Sequence, residues 1–363
     1  MTGFLSLGER TAVGAKAHVF FGRLLTDESY WRLLHCDTVR EIVEYLKSLP
    51  GFAPYLLSVS PEIHRAELED VLEMLPLRET LTFLGYLTGG QRAYVRCWID
   101  LYEADLLKRT MRSLFSRKQD REQLRQRFAL IPKPSFSSET LLSSRSYEEF
   151  LEALSGSGYY RVLREPLAKL SDEGGSLFSA ETAVDLHVLS ALFRAAGKVD
   201  SCNGAGILSL VGTMVDLLNV SWLHRSARFF DMHFEEMLNR LLPVRYRLGL
   251  AFLRKLSRAE SPEAFWDLLR HSCYGGALGE SLPKEDFELE TRIKQHLWRQ
   301  ARQLFRRSGI GFHSLVAYLF LRRYEIQDLK TIIEDVRYDF DRREALLFMV
   351  RPIVPGGERA WRW

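Results

Sequence analysis

Residues 214–226 read MVDLLNVSWLHRS, an apolar helical stretch broken by Asp216 and Asn219, three positions apart, with Trp222 close behind. Residues three apart share one helix face. Such a pair either carries acid–base or ligand chemistry, which needs a convergent pocket, or it hydrogen-bonds the backbone of a neighbouring loop or helix end. Repetition separates the two readings, because a catalytic constellation is rarely built more than once in a chain.

The stretch recurs. Aligning Asp216 with Asp100 sets DLLNVSWLHR (216–225) against DLYEADLLKR (100–109), and aligning it with Glu325 adds EIQDLKTIIE (325–334). The shared skeleton is an acid, then Glu103, Asn219 or Asp328 three residues on, an aliphatic residue next, and Leu or Ile seven residues after the acid. The intervals are 116 and 109 residues. A second landmark keeps the same step: SYEEFLEAL from Ser146 matches SPEAFWDLL from Ser261 at an interval of 115, and the looser DTVREIVEYL from Asp37 lies 109 before Ser146. Two landmarks recurring together predict three copies of one helical unit, over 1–125, 126–242 and 243–351, with a tail at 352–363. Repetition makes Asp100, Asp216, Asn219, Glu325 and Asp328 architectural positions, with Glu103 and Asp328 standing where the second copy has Asn219.

The rest of the chain reads as all-α. Runs of β-branched residues with period-two alternation do not recur, whereas helical periodicity fills 38–49, 95–115 and 315–338. Ser146 before YEEFLEAL, and Ser261 with Pro262 at the first helical position, read as helix starts. Breaks are expected at 130–140, 171–176, 201–206 and 273–286, each short enough to be a turn within a continuous helical architecture.

Composition narrows the function classes. The chain has 363 residues, 50 Lys plus Arg against 47 Asp plus Glu, and a net charge of +3, which lacks the basic excess of a dedicated nucleic-acid binder. The longest apolar run, 206–220, is short and holds Asp216, below the roughly 18 residues of a membrane span. With no basic start leading into an apolar core at the N-terminus, the expectation is a soluble, cytoplasmic chain. The four cysteines (Cys36, Cys97, Cys202, Cys273) form no C-x-x-C pair and read as reduced, helix-buried thiols.

Several stretches together resemble a known family, the C subunit of prokaryotic V/A-type rotary ATPases, counterpart of the d subunit of the eukaryotic V-ATPase. They are the opening AVGAKAHVFFGRLLTDESYWRLLHCDTVREIVEYL, then Asp216, Leu217, Asn219, Leu223 and Arg225, then Leu315, Tyr318, Glu325, Leu329 and Ile332 of the closing segment. The resemblance covers roughly residues 10 to 350 and rests on order, triplication and length. It departs at EADLL, at SRKQD and in the tail RPIVPGGERAWRW. It implies a funnel of three similar helical sub-domains in pseudo-threefold arrangement. Such a protein sits peripherally on the cytoplasmic mouth of the membrane proteolipid ring, one copy per complex, and receives the central stalk. It implies a non-catalytic part in ATP-linked proton or sodium transport, with no cofactor, no metal and no nucleic-acid partner.

No enzyme or nucleotide motif competes with this reading. H-E-x-x-H, G-x-x-x-x-G-K-[ST] and G-x-S-x-G are absent. The alternative is an unrelated all-helical adaptor, although common solenoids step by 34 to 47 residues rather than about 110. Two basic segments stand out. TRIKQHLWRQARQLFRR (291–307) holds six Lys and Arg and no acid, and KRTMRSLFSRKQDREQLRQR (108–127) holds eight against two acids. In the first, Arg292, Arg299, Arg302 and Arg306 fall on one side of a helix. That side is either a solvated face or a surface for anionic lipid or an acidic partner helix. The helical tryptophans Trp31, Trp98, Trp222, Trp266 and Trp298 read as core residues.

Overall fold

The computed structural model describes residues 7–116, 121–171, 177–199, 201–229, 237–238, 241–279, 281–283, 285–338 and 342–353. Trp361 and Trp363 of the tail lie outside the described residues. Among the described residues every regular element is helical. In order these are α1 (Leu7–Phe21), α2 (Asp27–Leu34), α3 (Val39–Ser48), α4 (Ala53–Leu56), α5 (Arg65–Leu81) and a 3₁₀ turn at Leu84–Tyr86. Then come α6 (Gly89–Ser116), α7 (Arg121–Phe128), α8 (Ser138–Ser143), α9 (Tyr147–Ala153), α10 (Gly158–Ser171), α11 (Leu177–Lys198) and α12 (Ser201–Phe229). The chain continues through α13 (Leu250–Ser257), α14 (Pro262–Arg270), α15 (Gly275–Leu278), α16 (Asp286–Arg307), α17 (Phe312–Tyr338) and α18 (Arg342–Phe348). The break expected at 201–206 is not found there, since those residues belong to a helix and the interruption falls just before them. Helix α11 ends at Lys198 and α12 already begins at Ser201.

A short helix pair appears three times, as α2–α3, α8–α9 and α13–α14. Local side chains start these helices. Thr26, Thr38, Ser137, Ser146 and Ser261 each accept a hydrogen bond from a backbone amide in the first turn. In two copies the third residue after the cap reaches back: Glu41 accepts from the Asp37 amide at 2.9 Å and Glu149 from the Arg145 amide at 2.8 Å. Gly249 opens α13 without a side-chain cap.

Two compact units emerge from the packing. One comprises the described residues of Met1–Leu87, Asp216–Phe234 and Arg247–Trp363, the other those of Thr88–Val215 and Glu235–Tyr246. In the first unit α17 runs through the core, packed on α1, α2, α3, α5, α16 and α18. Its Leu329, Ile332 and Ile333 meet Leu33 and Leu34 of α2, Ile42 and Leu46 of α3, and Leu68 and Leu72 of α5 in one apolar cluster. Helix α1 approaches the start of α17 so closely that a Cβ on Gly14 would lie 2.3 Å from the Gly311 nitrogen.

In the second unit α6 packs on α11, and α11 on α10. The contact between α6 and α11 is apolar at its centre, through Tyr94, Trp98, Leu107, Val184, Val188 and Leu192, all buried. It is edged by Lys108–Asp185 at 2.7 Å and by Arg112, which clasps both oxygens of Glu181 at 2.5 and 2.7 Å.

One segment, Gly206–Ser226 of α12, is long and apolar enough to cross a membrane by length and composition. The sequence reading ended this run at Val220. With 72% of its most apolar window buried inside the protein, the segment has the burial of a core helix. The cysteines also differ in part from expectation: Cys36 is buried in a turn, Cys97 is half-buried and Cys273 is exposed.

Candidate functional site

The polar positions singled out by repetition lie in the middle of the three long helices α6, α12 and α17, and the structure shows what they hold. Asp216 on α12 accepts the Arg247 amide at 2.6 Å, the Leu248 amide at 3.0 Å and the Tyr274 hydroxyl at 2.9 Å, all on Oδ2. Asp328 on α17 accepts the Val350 amide at 2.6 Å, the Arg351 amide at 3.0 Å and the Tyr30 hydroxyl at 3.4 Å. Glu103 on α6 accepts the Ser135 amide at 3.2 Å and its hydroxyl at 2.9 Å, and the Tyr159 hydroxyl bonds to it too.

One constellation therefore recurs three times: a buried carboxylate, the backbone of a segment downstream, and a buried tyrosine. Glu103, Asp216 and Asp328 are spaced by 113 and 112 residues. This grouping shifts the second copy by three from the sequence alignment, which set Asp216 beside Asp100 and Glu325. Asn219, fully buried, lies one turn further along α12. The amide reached by Glu103 lies two residues before the Ser137 cap of α8, and those reached by Asp216 directly precede the Gly249 cap of α13. The carboxylates thus fix where each short helix pair enters, by charge-assisted bonds worth about 1.5–3 kcal/mol apiece.

Glu325 serves the same purpose by another route. It accepts the Leu25 amide, one residue before the Thr26 cap of α2, and pairs with Arg322. Arg322 is only 1% exposed. It also donates to Glu79 at 3.1 and 3.2 Å and to the Gly51 carbonyl at 2.8 Å, and it lies over the Phe52 ring. The Tyr318 hydroxyl donates to Glu79 as well. A single guanidinium thus bridges two carboxylates inside the first unit, with its donors turned to acceptors.

Burial shifts several of these acids. It pushes the Asp328 carboxyl up to about 7, against the pull of the Val350 and Arg351 amides. Asp100 rises to about 6, by burial first and by the neighbouring Glu103 second. Burial also raises Glu103 and Glu79.

The four arginines placed on one face by helical spacing separate in the structure. Arg292 turns inward, donating to the Ser281 carbonyl at 2.5 Å, the Leu278 carbonyl at 3.2 Å and Glu288 at 3.3 Å, with its guanidinium over Trp266. Arg302 is half-buried over the Trp298 ring at 5.3 Å. Arg299 and Arg306 are exposed. In the other basic segment Lys108, Arg112 and Arg125 are in ion pairs with acids. Among the described residues no group of three or more His, Cys, Asp or Glu is placed to hold a metal ion.

Sequence reasoning missed the tyrosines. Tyr159 and Tyr274 each lie 13 residues beyond the repeated caps Ser146 and Ser261, a signal that was present. Tyr30 has no counterpart at that offset from Thr38.

Carboxylates at the centres of three long helices, each holding distant backbone amides and a tyrosine hydroxyl, mark an all-helical protein with one internal tie used three times. The chain belongs to the ATP synthase (C/AC39) subunit family, which it matches over residues 13–346. It is similar to the C subunit of the A-type ATP synthase of Methanothermobacter thermautotrophicus, 25% identical over 334 residues, covering 89% of this chain and 83% of the relative. It is also similar to the proteins of the same name from Methanosphaera stadtmanae (19% identical; 90% and 84% covered) and Methanobrevibacter smithii (22%; 86% and 80%).

Proposed function

We propose that the chain is a non-catalytic rotor component of a V/A-type ATPase or ATP synthase, joining the rotating central stalk to the membrane proteolipid ring. The observation that carries this reading is the family match across residues 13–346, along a chain whose repeated acids serve its architecture. In the proposed arrangement three similar helical sub-domains, 1–125, 126–242 and 243–351, form a funnel on the cytoplasmic face of the membrane, one copy per complex. Torque transmission needs a body that does not yield between its two attachments. Long buried helices with internally bonded charges supply such stiffness, because close-packed protein interiors transmit strain. The exposed Arg299 and Arg306 belong to the basic face proposed to meet an acidic partner or lipid.

The test is reconstitution of a complete prokaryotic complex with and without this protein. The expected result is that ATP hydrolysis by the head persists without it, while ATP-driven ion uptake into vesicles falls to background and returns when the protein is added back. Uptake that is unaffected by its omission would overturn the proposal.

A further inference from the structure

Lys16 of α1 carries its ammonium group into a set of aromatic rings. Nζ lies 4.9 Å from the centre of the Tyr86 ring, 5.0 Å from that of Phe83 and 5.9 Å from that of Phe20. A ring face attracts a cation within roughly 6 Å of its centre. Phe20 sits one turn after Lys16 on α1, whereas Phe83 and Tyr86 belong to the 3₁₀ turn after α5 and the residue that opens it. Phe83 is fully buried, and Phe20 packs on it at 5.5 Å and on Tyr318 at 5.7 Å, beside the Glu79–Arg322 pair. Tyr86 is 45% exposed and forms the outer wall. Arg23 also lies over the Phe20 ring, at 5.5 Å, so Phe83 and Tyr86 carry most of the attraction to Lys16.

The polar side of this cage is a single acceptor. Nζ donates to the Thr82 carbonyl at 2.7 Å, at the C-terminal end of α5, where the helix dipole favours a cation. Among the described residues no carboxylate pairs with Lys16, and burial draws its amine below the usual lysine range. An ammonium has three N–H groups. Thr82 takes one, and the others face rings in place of strong acceptors. Methylation keeps the lysine charge while removing N–H donors, and cages of aromatic rings are how methylated lysines are held.

We propose that Lys16 is a site of N-methylation carried as far as the dimethyl state, its methyl groups against the rings and its remaining N–H on the Thr82 carbonyl. A trimethylated Lys16 would lose the bond to Thr82, and an acetylated one would lose the charge the rings attract. The methyl source is a sulfonium donor used by a separate methyltransferase. Lys16 is partly exposed, so a rotamer change presents its amine to such an enzyme without unfolding. The uncharged amine, its proton released to solvent, attacks the donor's methyl carbon. An N–C bond forms as the S–C bond breaks, and the sulfonium leaves as a neutral thioether. The product ammonium loses a proton before the second transfer. Dimethylation fills the cage and fastens α1 to the end of α5. This site is independent of the rotor reading.

The first readout is mass spectrometry of the protein isolated from the cells that make it. The expected result is a Lys16 peptide carrying one or two methyl groups. An unmodified, acetylated or chiefly trimethylated Lys16 overturns the proposal. The second readout is proton–carbon NMR of the full chain, dimethylated at its amines with isotope-labelled formaldehyde and a borane reductant. One dimethylamine signal should be displaced upfield by ring currents, absent in Lys16→Arg, and returned to the position of exposed lysines in Tyr86→Leu. Arginine keeps the charge at this position, so loss of the signal reports the site rather than the fold. A Lys16 signal at the exposed position in the wild type, or one unmoved by Tyr86→Leu, removes the cage and overturns the proposal as well.

Discussion

At the scale of single residues, buried charge matters here only through its partners. Arg322 neutralises Glu79 and Glu325 together. Removing it in Arg322→Ala leaves two buried carboxylates uncompensated, and urea unfolding should show a loss of roughly 3–5 kcal/mol. The combination Glu79→Gln, Arg322→Met, Glu325→Gln should recover much of that loss, since no unpaired charge remains. Asp328 gives a pH signature of known sign. Its carboxyl is raised from 3.8 to about 7 by burial, so the folded state holds its proton more tightly than the unfolded chain. Its contribution is full below the unfolded value and is lost as pH rises through about 7. Between pH 5 and pH 8 the urea midpoint of the wild type should therefore fall more than that of Asp328→Asn; equal slopes would count against this assignment. The sequence made the polar positions legible without making their register so. Each long helix offers polar groups at two positions three apart, Asp100/Glu103, Asp216/Asn219 and Glu325/Asp328. Both members share a face, so periodicity cannot say which one reaches an amide 22 to 32 residues away. The hydrogen bonds decide it.

Among elements, the short helix pairs are the most legible part of the chain because their starts are coded locally. Ser146 and Ser261 hold the amides of Glu149 and Ala264, each at 3.2 Å. Replacing either by Ala should cost about 1 kcal/mol, and replacing it by Gly only a few tenths. The loss should appear as faster amide exchange in α9 or α14 alone. The entry of α13 rests more on distant support, since Gly249 gives no side-chain cap and Asp216 holds the two residues before it. Asp216→Ala strands two amides and a tyrosine hydroxyl. It should cost at least about 3 kcal/mol, against about 1 kcal/mol for loss of a cap; equal costs would show that the long-range tie is dispensable. What the sequence hid here was distance. Tyr159 and Tyr274 keep step with the repeat, but Tyr30 meets Asp328 across 298 residues, and no local pattern encodes that contact.

For the whole molecule, the all-helical class and the recurrence followed from periodicity and from landmarks repeating near 110 residues. The division into two packed units did not. Sequence repetition and spatial packing cut the chain differently, since α12 supplies residues to both units. The central claim is that this protein turns with the stalk and links it to the ring. Single cysteine pairs in a reconstituted complex test it directly. One disulfide would join this chain to the central stalk and the other would join it to the stator, with ATP-driven ion uptake followed before and after reduction. A rotor component predicts that the stalk cross-link leaves uptake intact, whereas the stator cross-link stops it until the disulfide is reduced. Uptake that continues at full rate with the stator cross-link formed would contradict the claim.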